Sequence, residues 1–126
     1  MSLSLLLQSP YARPVAIVAA VAVYLGILVG SLSSELGPPN LFPNSDKLVH
    51  MSAWALLSAI TVFALREKRV ALLGGLGLFA SSGAVEIIQA LVPHRSASWA
   101  DLLANGIGIA LGGVLVWMVL RRLGHR

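Results

Sequence analysis

Residues 14–32 read PVAIVAAVAVYLGILVGSL, nineteen positions without one charged side chain. A helix needs about 20 apolar residues to cross the hydrocarbon core of a bilayer. Working outward, three further stretches of this kind follow, at 48–65, 70–92 and 102–120. The second holds His50 as its one titratable residue, the third holds one acid, Glu86, and the fourth is uncharged. A spanning segment must satisfy its own backbone hydrogen bonds, so each stretch is predicted to be a helix. The expected fold is all-α: a polytopic integral membrane protein built as a four-helix transmembrane bundle, one domain over residues 1–126.

Composition agrees with this. The 126-residue chain is 57% hydrophobic and 11% charged, with mean hydropathy +0.85. Soluble domains carry about 25% charged residues, and a small soluble globule has too much surface to hide so many apolar side chains. A cytosolic enzyme, a disordered tail and a soluble nucleic-acid binder are therefore excluded. The net charge of +4 does not indicate nucleic acid, because the basic residues sit in short clusters between apolar runs, as topology signals do. With no cysteine, disulfides, thiolate metal sites and cysteine nucleophiles are ruled out.

Local signals set the expected boundaries. Gly37, Pro38, Pro39 and Pro43 make the first connection non-helical. Asn44, Ser45 or Asp46 is expected to cap the second helix, and Ser98 or Asp101 the fourth. Residues 66–69 form a tight charged turn, and Pro93 ends the third helix. All basic residues except Lys47 and Arg95 fall on one side of the four-helix topology: Arg13, Arg66, Lys68, Arg69, Arg121, Arg122 and Arg126. The positive-inside rule then places both termini in the cytoplasm and the 33–47 and 93–101 connections outside. The first span is expected to stay uncleaved, since its apolar run exceeds that of a usual signal peptide.

Polar residues inside such helices are expensive and need a reason. Glu86 lies six positions before Val92, about 9 Å below the outer end of the third helix, with Gln89 at i+3 on the same face. His50 follows Asp46 by four residues, and Asn105 follows Asp101 by four. The topology brings all six to one depth, with His94 and Arg95 in the short loop above. Glycines 106, 108, 112 and 113 on the fourth helix, and 74, 75, 77 and 83 on the third, suggest close packing. Gly108 and Gly112 have GxxxG spacing, read as packing within the chain ahead of dimerisation.

Each of these residues has a structural reading beside a functional one. Glu86 suits a general base, a cation ligand or a proton relay, or a partner of Arg95 or His50. His50 suits acid–base work or a hydrogen-bonded helix position. Asp46 and Asp101 suit helix capping as well as direct function. Gln89 and Asn105 suit bridging between helices or hydrogen bonding to a head group. Arg95 offers a planar fork of donors to an anion, or a pair to Asp101 or Glu86. Trp99 is read as an interfacial anchor. No compact metal spacing and no phosphate-binding glycine loop is present, so no metal and no cofactor are expected.

These residues carry a resemblance. DKLVH at 46–50, EIIQ at 86–89, Arg95, and the run from Asp101 through Asn105 to the glycines at 106 and 108 stand in the order seen in the VanZ-like family of small membrane proteins, named for a teicoplanin-resistance protein. The chain resembles that family over about residues 40–115. The resemblance implies a multi-pass protein integral to the cell membrane, the bacterial cytoplasmic membrane, and glycopeptide resistance is known for the founding member.

Three functions remain open on the sequence. One is an outward-facing polar pocket formed by Asp46, His50, Glu86, Gln89, Arg95, Asp101 and Asn105. It would engage an amphiphilic ligand of the cell envelope: a lipid head group, a lipid-linked precursor or a lipoglycopeptide. The second is an intramembrane enzyme that modifies a lipid head group, with His50, Glu86 and Asp101 as candidate acid–base groups. The third is a structural subunit of a homo-oligomer or of a larger membrane partner. Membrane lipids are the expected surroundings in all three.

Overall fold

The computed structural model describes residues 8–37 and 41–124. Pro38, Pro39 and Arg126, used above for a loop and for topology, lie outside them. The chain forms four helices: α1 at Ala12–Leu32, α2 at Ser45–Leu65, α3 at Lys68–Gln89 and α4 at Trp99–Arg122. No strand occurs among the described residues. All four helices are long and apolar enough to cross a membrane.

The helices differ from their expected bounds mainly at the ends. α2 and α4 each begin three residues earlier than the apolar runs they contain, because polar first turns extend beyond the hydrophobic stretch. α3 stops at Gln89, three residues short of Val92. Pro93 disfavours helical backbone at the residue before it, and the chain unwinds ahead of it. Leu91 N–H donates to the Ile88 carbonyl and Val92 N–H to the Gln89 carbonyl, bonds that span three residues and tighten a helix end.

The caps resolve the open alternatives. The Ser98 hydroxyl accepts from Asp101 N–H at 3.0 Å and caps α4. At α2 the cap position belongs to Asn44, whose side chain makes no capping hydrogen bond. Asn44 takes a left-handed conformation instead (φ 64°), which asparagine tolerates better than most residues. The Ser45 hydroxyl accepts from Leu41 N–H at 3.1 Å and so braces the incoming loop. α1 ends where Ser33 turns extended, and its hydroxyl accepts from the N–H groups of Glu35 and Leu36.

α2 and α4 form the most extensive interface in the bundle. Gly108 abuts Met51, Gly112 abuts Ala55, and Ser58 donates to the Ile109 carbonyl at 2.8 Å, so the two helices run parallel. A Cβ on Gly108 or Gly112 would collide with the carbonyl of Met51 or Ala55. The GxxxG pair thus packs backbone to backbone within this chain. On α3 the glycines divide: Gly74 meets Leu65, whereas Gly75 and Gly77 face open space, so the expected thinning of this helix holds only in part. α1 docks through Tyr24, whose ring meets Trp54 edge-on and whose hydroxyl bonds Ser81 at 2.6 Å.

The distribution of polarity is the reverse of a soluble protein. Leu72, Ile87, Leu91, Leu103, Leu111 and Leu115 are exposed, while Ser58, Ser82, Glu86, Gln89 and Asn105 are buried. Apolar surface on this scale marks a membrane or a partner. Around Trp54, Leu57, Ile27 and Ile109 a small apolar core closes the middle of the bundle. It leaves the polar residues grouped at one end.

Candidate functional site

Three helix faces converge at that end. α2 turns His50 and Trp54 inward, α3 turns Ser82, Glu86 and Gln89, and α4 turns Asp101 and Asn105. Each set follows the three- and four-residue spacing that stacks side chains on one helix face. Asn105, wholly buried, sits where the small residues Gly106 and Gly108 flank it.

At the centre, Asn105 Nδ2 donates to Glu86 Oε1 at 3.3 Å. Glu86 Oε1 accepts from the N–H side of the amide, which sets the Asn105 orientation. The far oxygens of both groups, Glu86 Oε2 and Asn105 Oδ1, are buried with no hydrogen-bond partner among the described residues. The Ser98 backbone N–H is a hydrogen-bonding neighbour of the Glu86 carboxyl, and Asp101 and Lys47 lie within electrostatic reach of it.

Above this pair, Lys47 Nζ stands 3.4 Å from Asp101 Oδ1 and 3.6 Å from Asp46 Oδ2. The mostly buried Asp101 Oδ1 is thus paired with the Lys47 ammonium. His50 is buried and within electrostatic reach of Asp101, Arg95, Asp46 and Lys47. It lines a cleft of about 320 Å³ between α1 and α2, shared with Trp54, Gly30, Ser31 and Leu36. Trp54 Nε1 is likewise buried without a partner.

Arg95 is turned elsewhere. It pairs with neither Asp101 nor Glu86. Its Nε donates to the Ser33 carbonyl at 3.2 Å, and a terminal nitrogen donates to the Gly30 carbonyl. These are carbonyls at the C-terminal end of α1, where helices leave acceptors unsatisfied and favour positive charge. The guanidinium lies over Gly37, at which any side chain would strike it. Arg95 therefore clasps α1 against the loop between α3 and α4, at the rim of the polar cluster. His94 beside it is exposed with a left-handed backbone (φ 62°).

The structure thus brings Asp46, His50, Glu86, Asp101 and Asn105 into one cluster and buries Gln89 on the same face of α3 as Glu86. Two members were not singled out by sequence. Lys47 read as one of few basic residues outside, yet it joins α2 to α4 through Asp101. Its place three residues before His50 was the available signal. Trp54, four residues after His50, was indistinguishable from any apolar core residue. Among the described residues, no three His, Asp or Glu side chains form a group able to hold a metal ion.

Chemically, the cluster presents an excess of acceptors. Leaving a buried polar group unsatisfied costs roughly 1–3 kcal/mol, and Glu86 Oε2 and Asn105 Oδ1 are two such oxygens. A donor-bearing group would satisfy them.

Comparison with known proteins supports the motif-based resemblance. No curated protein and no solved structure matches the chain. The family model for VanZ/LLP1 matches residues 15–121, from the start of α1 almost to the end of α4. This integral membrane protein belongs to the VanZ/LLP1 family.

Proposed function

We propose that the polar cluster is a pocket for the head group of an amphiphile of the cell envelope. The observation that carries this reading is the pair of buried oxygens without a hydrogen-bond partner, Glu86 Oε2 and Asn105 Oδ1, inside a bundle whose outer surface is apolar. Acceptors call for donors, so the recognised group carries hydroxyl, amide N–H or ammonium functions, as the sugars and peptides of lipid-linked precursors and lipoglycopeptides do. Lys47 is engaged by Asp46 and Asp101, and Arg95 by α1 carbonyls. Donation therefore comes from the ligand, with Arg95 holding the rim in place.

The basic ends of α2, α3 and α4 favour a cytoplasmic location for the opposite end of the bundle. The cluster then faces the outer leaflet of a bacterial cytoplasmic membrane, where such amphiphiles are found. An effect on glycopeptide sensitivity follows if the ligand is a lipoglycopeptide or its target.

The test is mass spectrometry of envelope amphiphiles that co-purify with the protein from a bacterial host. Wild type is expected to retain a donor-rich amphiphile that Glu86→Gln and Asn105→Ala release. Equal retention by all three would overturn the proposal. Teicoplanin susceptibility of cells expressing wild type or Glu86→Gln decides the glycopeptide part, and equal susceptibility removes it.

A second reading rests on His50. It is buried beside Asp101 and Asp46 and opens on the cleft between α1 and α2, a setting for acid–base chemistry on a lipid head group. It requires a pH-dependent turnover of an envelope lipid that His50→Ala abolishes, and no turnover across a lipid panel rejects it.

A further inference from the structure

The opposite end of the bundle holds a second, unrelated feature. α3 meets α4 closely near Glu86 and Asn105, where Gly83 approaches Leu102 and Gly106 lies against the Phe79 ring. Towards the Lys68 end the two helices leave a groove of about 450 Å³, with α2 as its floor. Its walls are almost wholly apolar and include Leu72, Leu76, Phe79, Ile109 and Val114. Gly75 lines it and has no atom within 4 Å of where a Cβ would stand. The space is therefore a built opening in the side of the bundle.

The mouth of this groove is cationic. Lys68 and Trp117 line it. Lys68 Nζ lies 5.8 Å from the centre of the Trp117 ring, and the Arg121 guanidinium lies 4.7 Å from the same centre. Two cations thus converge on one ring at a helix end. Neither forms an ion pair with an acidic side chain among the described residues. Such like charges repel unless an anion lies between or beside them, and basic pockets between transmembrane helices bind anionic lipid head groups. The groove below is too apolar for a soluble anion to need, and it suits an acyl chain.

We infer that the groove between α3 and α4 seats one acyl chain of an anionic phospholipid, whose phosphate lies against Lys68 and Arg121 beside the Trp117 ring. This site is separate from the polar cluster and does not depend on the function proposed for it. Charge complementarity sets the head-group class, and the continuity of cationic mouth with apolar groove selects a lipid over free phosphate.

The experiment is native mass spectrometry of the purified full-length chain in detergent, titrated with phosphatidylglycerol or with phosphatidylcholine of the same chain length. Wild type is expected to retain phosphatidylglycerol in preference by about 25-fold, since each of the two cations near a lipid surface is worth about a fivefold change in binding. Lys68→Gln and Arg121→Gln each reduce that preference several-fold, and the double variant removes it. Gly75→Leu, whose Cβ enters open space at the groove wall, weakens retention of both lipids and leaves any residual preference intact. Circular dichroism of each variant confirms that the helices remain. A preference that survives the double variant overturns the inference. So does full lipid retention in Gly75→Leu, or competition by glycerol phosphate at the same concentration as the lipid, which would make the groove irrelevant.

Discussion

Asn105 on α4 and Glu86 on α3 are joined by a single hydrogen bond of 3.3 Å, and each keeps one buried oxygen without a partner. One bond ties the two helices together, and the two remaining oxygens define what the site lacks. Removing the amide strands the carboxylate. Asn105→Ala is expected to destabilise the protein by about 1–3 kcal/mol, the cost of an orphaned buried polar group. Glu86→Gln preserves shape and the ability to accept from Asn105, and is expected to cost less than Asn105→Ala. Thermal midpoints in detergent check the order, and the reverse order would show that Asn105 does not hold Glu86.

The glycines make a sharper structural prediction. Gly112→Ala places a Cβ onto the Ala55 carbonyl, and a backbone neighbour cannot rotate away. It should lower stability by about 1–3 kcal/mol, as overpacking does. Gly75→Ala adds a methyl to open space and should be neutral or stabilising, because alanine is the better helix former by about 1 kcal/mol. Comparing the two melting midpoints tests whether α2 and α4 pack as described. Equal effects would contradict it.

Arg95 offers a test of the rim. Losing its bonds to the Gly30 and Ser33 carbonyls should release the end of α1. In Arg95→Ala, limited proteolysis is expected to cut the connection between α1 and α2 faster than in wild type, with α2–α4 unaffected. Arg95→Lys keeps the charge but not the planar fork, and should fall between the two. Unchanged cleavage in Arg95→Ala would mean that the arginine does not clasp α1.

Lys47 separates the two aspartates it contacts. Lys47→Met leaves Asp101, which is mostly buried, without its cation, while Asp46→Asn leaves the Lys47–Asp101 contact in place. The lysine substitution is expected to lower the melting midpoint more, because stripping a partner from a buried charge costs more than losing an exposed pair. The opposite ranking would show that Asp46 is the principal partner of Lys47.

Much of the fold was readable because membrane insertion writes itself into composition. Uncharged runs of the right length define helices whatever they pack against, and all four appeared close to where the runs lie. The polar cluster was readable for the same reason, since Glu86 and Asn105 are costly in lipid and stand out. What the sequence does not show is direction and partnership. Arg95 could be placed in the right loop but not turned towards α1, because that depends on how α1 docks. Lys47 looked like a topology charge until α4 brought Asp101 to it. Gly75 and Gly108 look alike as letters, yet one faces open space and the other a carbonyl. Only the arrangement of helices distinguishes them.

The central claim is that the cluster around Glu86 binds a ligand and does not merely join helices. The direct measurement pairs the thermal midpoint of purified Glu86→Gln and His50→Ala with the amount of envelope amphiphile each retains from the host membrane. Variants that melt within a few degrees of wild type but lose the amphiphile are the predicted result. Variants that melt normally and retain it, or whose stability and retention fall in proportion, would contradict the claim and leave the cluster as structural glue.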